Sequence, residues 1–591
     1  MIKLLKNLKP YWLSIIGVMV FVFFQSLSEL YLPTLMSDIV DTGVVNGDVN
    51  YIIRIGGWMI LIAVMAMISS VLGSYLAAKT ATGFARDLRT KVFTKVESFS
   101  LEEFDEKGTA SLIVRTTNDI TQIQQLAITM LRMFLRAPLL FIGGIIMAVL
   151  KDAKLSLILV VILPILIMII LLVAKKGMSL FKSMQIKLDQ LNLVLREYLT
   201  GIRVVRAFNR EIYEKKRFHK ANLDLTETAK KVNTLMAVLI PLMMLILNLA
   251  IVAIIWFGSI RINNDGMQVG DLMAFIQYAS QIMFSLIMLS MMLIMLPRAL
   301  VSAIRINEVL DVEPKIKDPV ISKEGKSEIE NSLKSEGIIK EKGKRGYLEF
   351  DEVSFCYQGA EEPVIKKISF KSNPGELTAI IGSTGSGKST LINLIPRFYD
   401  VTSGRILIDG VDIRELTQEK LRDKIGLVSQ KVVLFTGTIA ENIGFGNPHL
   451  PRDEMIRVAE IAQASEFIST MKQTYNSQIA QGGTNISGGQ KQRLAIARAL
   501  AKHPEIYIFD DSFSALDFKT EAKLRVAIKK ETKNDTVLIV AQRVTTVMSA
   551  DQIIVLDEGK IVGMGKHQDL IKTCEVYREI VASQLSEEEL A

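Results

Sequence analysis

Residues 382–389 have the composition of a loop that binds phosphate. They read Gly-Ser-Thr-Gly-Ser-Gly-Lys-Ser, which fits the pattern G-x-x-x-x-G-K-[ST]. Glycines let successive backbone amides approach phosphate oxygens, and the N-terminus of a following helix adds positive potential. We expect Lys388 to reach the outer phosphates of a nucleotide and Ser389 to hold Mg2+. The residues expected to contact the nucleotide are Gly382, Ser383, Thr384, Gly385, Ser386, Gly387, Lys388, Ser389 and Thr390.

A second set of polar residues follows apolar segments further along the chain. Asp510 ends the apolar run 506–509, so it would bring a carboxylate to the Mg2+ shell at the carboxyl edge of a sheet. Gln430 follows the segment Leu427–Ser429 and either ligates the metal, orients water or is an ordinary solvated loop residue. The backbone amides of Ser487, Gly488, Gly489 and Gln490 precede a helical pattern, 491–501, and would form an anion site there.

The elements that must position these residues are short and alternate in type. The segment 377–381 is typical of a buried strand and 390–395 of the helix after it, which is the setting that a phosphate-binding loop requires. After Gly346, apolar strands alternate with helical patterns, which predicts an α/β domain with a largely parallel sheet.

The first half of the chain has a different composition. The 591 residues are 49% hydrophobic, and six apolar stretches before residue 300 are long enough to cross a bilayer, which takes about 20 residues. The six stretches are Tyr11 to Pro33, Ile52 to Ala78, Met130 to Leu150, Leu155 to Ala174, Leu235 to Gly258 and Leu272 to Pro297. The predicted fold is an all-α transmembrane domain of six helices fused to an α/β nucleotide-binding domain.

Composition also predicts the domain limits. We expect a transmembrane domain over 1–313, a polar linker over 314–346 that is too rich in Lys, Glu, Ser and Gly to build a core, and the nucleotide-binding domain over 347–591.

Charge predicts the orientation in the membrane. The loop Met36 to Asn50 is acidic and lacks Lys and Arg, whereas Lys79 to Thr129 and Lys175 to Asn233 are basic, so the first should face outside and the other two the cytoplasm. The same topology accounts for the net charge of +8 without a nucleic-acid partner. Cys356 and Cys574 have neither the spacing of a disulfide framework nor that of a zinc site.

These motifs, in this order, resemble those of the ATP-binding cassette (ABC) exporters, specifically half-transporters with six spans and one nucleotide-binding domain. The resemblance covers nearly the whole chain. It implies that Tyr357 stacks on adenine, that Ser487–Gln490 is the signature that clamps the γ-phosphate of ATP bound to the opposite subunit, and that two such domains meet head to tail. It also implies ATP and Mg2+ as ligands and a place in the cytoplasmic membrane. The segments Glu103 to Asp119 and Gly201 to Phe208 resemble the coupling regions, which would dock on the nucleotide-binding domains near Gln430; ordinary solvated helices are the alternative.

Two positions depart from the family pattern within the catalytic set. Asp511 stands where the family has a glutamate that polarises the attacking water, and Gln542, before Arg543, stands where the family has a histidine. Aspartate withdraws the carboxylate by roughly 1.5 Å, and a misplacement of about 1 Å can cost on the order of a hundredfold in rate. Glutamine cannot titrate or carry the charge of histidine. Gln481-Gly482-Gly483 also replaces the charged Glu-Arg-Gly of many homodimeric exporters.

These departures, beside an intact signature, predict a heterodimer. The P-loop and Asp511 would form a degenerate site, and the signature would complete an active site with the partner's catalytic glutamate. The expected substrates are hydrophobic or amphipathic compounds, as in multidrug export. The alternatives are a homodimeric lipid or lipopeptide flippase and a regulatory partner whose site binds ATP chiefly to gate the complex.

Polar side chains within the predicted spans are candidates for substrate contact, because such groups usually face a cavity or another helix rather than lipid. Glu29 would attract cationic substrates if it faces a cavity, or lie at the outer interface near Pro33. The other polar candidates are Gln25, Asn248, Gln277 and Gln281.

Overall fold

A computed structural model describes residues 2–319 and 345–585 of the chain. The described residues form two compact units. The first contains the residues up to Ser98 together with Lys107–Glu313, and the second contains Phe99–Glu106 together with the residues after Glu313. Most of the predicted linker, 314–346, lies outside the described residues, so its limits stay a prediction.

The first unit is all-α, and the six predicted membrane spans are confirmed. Its candidate spans are Lys3–Val44, Val49–Glu97, Thr109–Lys151, Leu157–Thr200, Glu211–Asn263 and Val269–Ser290. The helices before residue 311 are α1 (Ile2–Leu5), α2 (Trp12–Asp38), α3 (Val49–Glu97), α4 (Leu101–Lys107), α5 (Thr109–Val114), α6 (Ile120–Met133), α7 (Arg136–Lys151), α8 (Leu157–Thr200), α9 (Ile202–Ala207), α10 (Glu211–Asn263) and α11 (Val269–Leu310).

Four of these helices are much longer than a bilayer is thick. Helices α3, α8, α10 and α11 contain 49, 44, 53 and 42 residues. At about 1.5 Å per residue, each is more than twice as long as the hydrocarbon core of roughly 30 Å. The basic segments between the apolar stretches are therefore largely continuations of the spanning helices.

The third span is interrupted where it carries a charge. Helix α6 ends at Met133 and α7 begins at Arg136. Pro138 has no amide proton, so the carbonyl of Phe134 lacks the bond that a continuous helix would give it. The break brings the Arg136 guanidinium to Glu29 of α2, with Nη2 2.8 Å from Oε1 and 3.1 Å from Oε2.

Two glutamines complete this cluster. Gln25 donates to Glu29 Oε1 at 3.0 Å, and Gln281 of α11 donates to the Glu29 carbonyl at 2.9 Å. Glu29 is thus ion-paired within the helix bundle rather than a free carboxylate, and three helices meet at it. The other two polar candidates, Asn248 and Gln277, are exposed on α10 and α11.

The second unit is α/β, as predicted, and contains two main sheets. Strands β2-β1-β4-β5 form an antiparallel sheet, and β12-β11-β3-β10-β9-β6 form a sheet that is parallel except for β12. The strands are β1 (Leu348–Phe355), β2 (Ile365–Ser372), β3 (Leu377–Gly382), β4 (Ser403–Ile408), β5 (Val411–Asp412), β6 (Ile425–Val428), β7 (Gly437–Thr438), β8 (Gln478–Ile479), β9 (Ile506–Asp510), β10 (Thr536–Val540), β11 (Gln552–Asp557) and β12 (Lys560–Gly565).

Helices cover the larger sheet. They are α12 (Lys388–Leu394), α13 (Gln418–Asp423), α14 (Ile439–Ile443), α15 (Arg452–Ile461), α16 (Ser465–Thr470), α17 (Gly488–Ala501), α18 (Phe518–Glu531), α19 (Val544–Val547), α20 (His567–Thr573) and α21 (Glu575–Ala582). Strand β9 is buried on both faces: Tyr507 and Phe509 pack into one hydrophobic cluster, and Ile506 and Ile508 into the other. This alternation follows from the two-residue period of a strand, and it explains why the run 506–509 is apolar throughout.

The segment Phe99–Glu106 lies between α3 and α5 in the chain but belongs to the second unit. The buried Glu103 carboxylate accepts hydrogen bonds from Ser100 and from the Lys315 amide. Burial opposes its charge, but these bonds hold the pKa of Glu103 below its usual value. Asp105 accepts a hydrogen bond from the Tyr399 hydroxyl at 3.3 Å. The predicted domain limits put these residues in the transmembrane domain, whereas the resemblance of Glu103 to Asp119 to a coupling region predicts contacts with the nucleotide-binding domain.

The Glu29–Arg136 pair generates a prediction about stability. Glu29→Ala would leave the guanidinium without its counterion among membrane helices, so we expect the melting temperature of the purified chain to fall by several degrees. Arg136→Ala should do the same, and the double substitution should cost less than the sum of the two. Thermal denaturation in nanodiscs measures the cycle, with exposed Gln277→Ala as the control. Additive effects would show that the two side chains do not stabilise each other.

Candidate nucleotide-binding site

Four parallel strands of the larger sheet end at one edge, and each is followed by a predicted site residue. In the order β3, β10, β9 and β6, the residues at or after the strand ends are Gly382, Gln542, Asp510 with Asp511, and Gln430. Parallel strands align their carboxyl ends, so residues from four distant parts of the sequence meet there.

The loop after β3 has the geometry that a phosphate requires. Gly385 and Gly387 have φ of +86° and +96°, a conformation that other residues rarely adopt. At Gly382 a Cβ would lie 2.1 Å from the Leu556 carbonyl oxygen, so no larger residue fits. Helix α12 begins directly after Gly387, and its first amides therefore face the loop.

Lys388 is held over this loop. Its ammonium donates to the carbonyls of Gly382 and Ser383 at 2.8 and 2.7 Å. Burial lowers the pKa of Lys388, while the charges of Asp511 and Asp510 act in the opposite direction. A phosphate group would offer this partly buried ammonium an anionic partner in place of two neutral carbonyls.

The two aspartates differ in exposure and environment. Asp510 is 7% exposed and hydrogen-bonded with the Ser389 hydroxyl. Burial and the neighbouring charge of Asp511 raise the pKa of Asp510. A buried carboxylate beside a serine hydroxyl is an oxygen donor pair of the kind that Mg2+ uses in nucleotide sites, so these residues fit the ion.

Asp511 lies closer to the solvent in a strained conformation. Its φ is +45°, a region that aspartate tolerates better than most residues. Burial raises the pKa of Asp511, while a hydrogen bond from the Gln430 side chain lowers it. The backbone of Gln430 also donates to Asp510. Gln430 is exposed but hydrogen-bonded to both aspartates, so it lies where it could hold a metal ion or orient water.

Gln542 contacts Asp511 directly. Its Nε2 donates to Asp511 Oδ2 at 3.0 Å. The sequence singled out both residues as departures from the family pattern but gave no signal that their side chains meet. An amide that donates to a carboxylate keeps this bond across the pH range in which a histidine would change its charge.

Tyr357 lies beside the other end of the loop. Its hydroxyl is 3.0 Å from Thr390 Oγ1, and its ring is edge-on to Phe355 and Tyr399. A cavity of about 320 Å3 lies next to the ring, with Tyr399 and Lys315 among its lining residues. This position suits a ring that would stack on a base whose phosphates lie over the loop.

The signature residues lie apart from the strand ends, at the start of α17. Ser487 caps this helix by accepting from the Gln490 amide, and the Gln490 side chain accepts from the Ser487 amide in return. Ser487 and Gly488 are exposed. A Cβ at Gly489 would lie 3.0 Å from the Ala515 carbonyl oxygen, so the helix start packs closely on the loop after Asp511. Exposed amides at the N-terminus of a 14-residue helix suit an anion supplied from outside this chain's own loop.

Similarity to known proteins agrees with this geometry. Residues 15–286 match the model of the ABC transporter transmembrane region, and residues 365–514 match the model described as ABC transporter. A Mycobacterium tuberculosis protein, described as an uncharacterized ABC transporter ATP-binding protein, is 40% identical over 582 residues, 98% of this chain and 97% of its own length. The chain belongs to the ABC transporter family.

Other relatives cover similar spans of this ABC transporter chain. An uncharacterized ABC transporter ATP-binding protein of Bacillus subtilis is 40% identical over 99% of both chains. The ATP-dependent lipid A-core flippase of Pseudomonas aeruginosa is 33% identical over 92% of this chain and 87% of its own length. A bacterial Atm1-family ABC exporter with ATP bound matches at a TM-score of 0.80, with 26% identity over 97% of this chain and 98% of that one. The chain is therefore an ABC exporter half, a multi-pass membrane protein whose ATPase domain hydrolyses ATP to drive transport.

The effect of the Asp511 charge on the pKa of Asp510 generates a prediction about pH. A carboxylate must be deprotonated to bind Mg2+, so binding at Asp510 should weaken as the pH falls through its raised pKa. Asp511→Asn removes the like charge, which lowers that pKa and should let Mg2+-dependent nucleotide binding persist to lower pH. Binding of a fluorescent ATP analogue, measured from about pH 8 to about pH 5, gives the midpoint. A midpoint that stays in place or moves upward would exclude this coupling.

Proposed function

We propose that the chain is one half of a heterodimeric exporter, and that its own P-loop forms a degenerate site that binds MgATP but hydrolyses it slowly. The observation that carries this proposal is the Asp511–Gln542 hydrogen bond at 3.0 Å. Asp511, at the position of the catalytic base, has a short side chain. One of its carboxylate oxygens accepts from Gln542, which replaces the family's histidine.

Nucleotide binding rests on residues that the departures leave intact. Lys388 and the glycine loop would hold the phosphates, and Tyr357 would stack on the adenine. Mg2+, when bound, neutralises charge on the phosphates, and Ser389, Asp510 and Gln430 are the residues that would hold it. Tight binding with slow hydrolysis is therefore the expected behaviour of this site.

The intact signature supports the second half of the proposal. Exporters of this family work as dimers, and Ser487 to Gln490 would clamp ATP on the P-loop of the other subunit. The exposed helix start and its packing on the loop after Asp511 suit this role. The partner would then supply the catalytic glutamate of the active site. A homodimer would place Asp511 in both sites and would have to use it as a slow base.

For the substrate, we propose hydrophobic or amphipathic compounds, moved out across the cytoplasmic membrane. The Glu29–Arg136 pair bears on this choice, because the ion pair neutralises the carboxylate that would otherwise attract cations. Export of lipids or lipopeptides by a homodimer is the second candidate, favoured by the relatives that are lipid A-core flippases. Stimulation of ATPase activity by lipid or by drug distinguishes the two substrate classes.

Steady-state ATPase activity tests the assembly. We expect the purified chain alone to be nearly inactive and a pair with the product of an adjacent half-transporter gene to be active. In that pair, Asp511→Ala should leave most of the ATPase activity. Changing the partner's catalytic glutamate to glutamine should lower the ATPase rate on the order of a hundredfold or more. An active chain alone that Asp511→Ala inactivates would instead establish a homodimer.

Labelling of each subunit tests the composite sites. Lys388→Ala should weaken photolabelling of this chain by 8-azido-ATP and leave labelling of the partner intact. Ser487→Arg, which puts a bulky cation in the signature clamp, should instead abolish ATPase activity of the pair by acting on the partner's site. Equal loss of label on both subunits with Lys388→Ala, or full activity with Ser487→Arg, would contradict the composite-site arrangement.

A further inference from the structure

We propose that Gln584, near the C-terminal end of the described chain, is a positioning residue for the nucleotide site. Its side chain holds the loop Ala541–Val544, and through that loop it sets the position of the Gln542 side chain beside Asp511. The inference rests on the proposed function, and it takes the Gln542 amide, which can donate a hydrogen bond, as a contact for the γ-phosphate of bound ATP. It adds a residue about 40 positions away in sequence, outside all of the motifs.

The Gln584 amide makes two hydrogen bonds to the loop backbone. Its Nε2 donates to the Gln542 carbonyl at 2.8 Å, and its Oε1 accepts from the Val544 amide at 2.8 Å. The Val544 amide belongs to the first residue of α19, whose N-cap Arg543 provides no side-chain cap. Gln584 thus accepts from one of the amides that the start of α19 leaves without an intrahelical partner.

Gln584 is itself fixed at its backbone. Its amide donates to the Val581 carbonyl at 3.0 Å, at the end of α21. Val581 and Tyr577 of this helix are buried in the same hydrophobic cluster as Phe509 of β9. The Gln584 side chain therefore connects the loop Ala541–Val544 to the hydrophobic core of the unit.

The remaining contacts of the loop leave one side chain to act on the nucleotide. The Ala541 amide donates to the Ile380 carbonyl at 3.2 Å, and the Arg543 guanidinium donates to Glu521 and to the Ser514 carbonyl. Gln542 alone is directed at Asp511. Without Gln584, the backbone of Gln542 loses a direct anchor, so the Gln542 side chain would sample more positions.

The chemistry of the Gln584 amide permits a selective test. Its nitrogen donates one hydrogen bond and its oxygen accepts the other, and an amide can do both at any pH. Gln584→Ala removes both bonds. Gln584→Glu keeps the acceptor but places a carboxylate against the Gln542 carbonyl, and protonation of that carboxylate at low pH restores a donor.

The measurement is the affinity of this chain's own site for ATP and for ADP, in the full complex in nanodiscs. Photolabelling by 8-azido-ATP at low temperature is resolved by chain and competed with ATP or with ADP. Gln584→Ala should lower the affinity for ATP by roughly five- to tenfold. Because ADP lacks the γ-phosphate, the affinity for ADP should change by less than about twofold. Gln568→Ala, an exposed glutamine on α20 with no side-chain hydrogen bond among the described residues, is the control and should change neither.

Two further variants separate positioning from folding. Gln584→Glu should behave like the alanine variant near pH 8 and recover ATP affinity relative to wild type near pH 5.5. In a Gln542→Ala background, Gln584→Ala should have no additional effect on the ratio of ATP to ADP affinity. The inference would be overturned if Gln584→Ala lowered the affinities for ATP and ADP equally or changed neither. It would also be overturned if Gln584→Glu did not recover ATP affinity near pH 5.5. If labelling of the wild-type chain does not depend on Lys388, the proposed function itself fails, which is a separate result.

Discussion

Parallel pairing of β3, β10, β9 and β6 is the constraint on which the nucleotide site depends. The register of these strands brings the glycine loop, Gln542, the two aspartates and Gln430 to one edge, although they are spread over about 160 residues. Each of these strands is buried, so a one-residue slip would turn core side chains toward the wrong cluster. The hydrophobic pattern that selects the register therefore also sets the geometry of the polar residues beyond the strand ends.

The parts of this arrangement that sequence could predict are local ones. The strand, loop and helix around Lys388 follow from spacing and from glycine chemistry, and the six spans follow from length and composition. Contacts between distant residues gave no such signal. Glu29 and Arg136 are 107 positions apart, and Asp511 and Gln542 are 31 apart. The resemblance predicts that the segment from Glu103 docks on the nucleotide-binding domain, but the charges of the helix Leu101–Lys107 do not identify Lys315 and Tyr399 as its partners.

Polar groups in the two units are satisfied by different means. In the nucleotide-binding unit, backbone carbonyls accept from Lys388 and the Gln430 amide donates to Asp510, so these charges lie in fixed surroundings. In the membrane unit, side chains must neutralise each other, as Arg136 and Glu29 do. A free carboxylate at Glu29 would have favoured cationic substrates. The observed pair is instead compatible with neutral or amphipathic ones, and it explains how a charge within the third span is tolerated.

The substitutions at Asp511 and Gln542 are best understood together. An aspartate alone would place a short but free base near the nucleotide, and a glutamine alone would leave a longer base without a titrating neighbour. Because the glutamine amide donates to Asp511 Oδ2, one oxygen of the short carboxylate is already engaged. The glutamine amide does not titrate, so it keeps its donor at every pH. This engaged carboxylate supports the proposal of a site that retains nucleotide in one half of an asymmetric dimer.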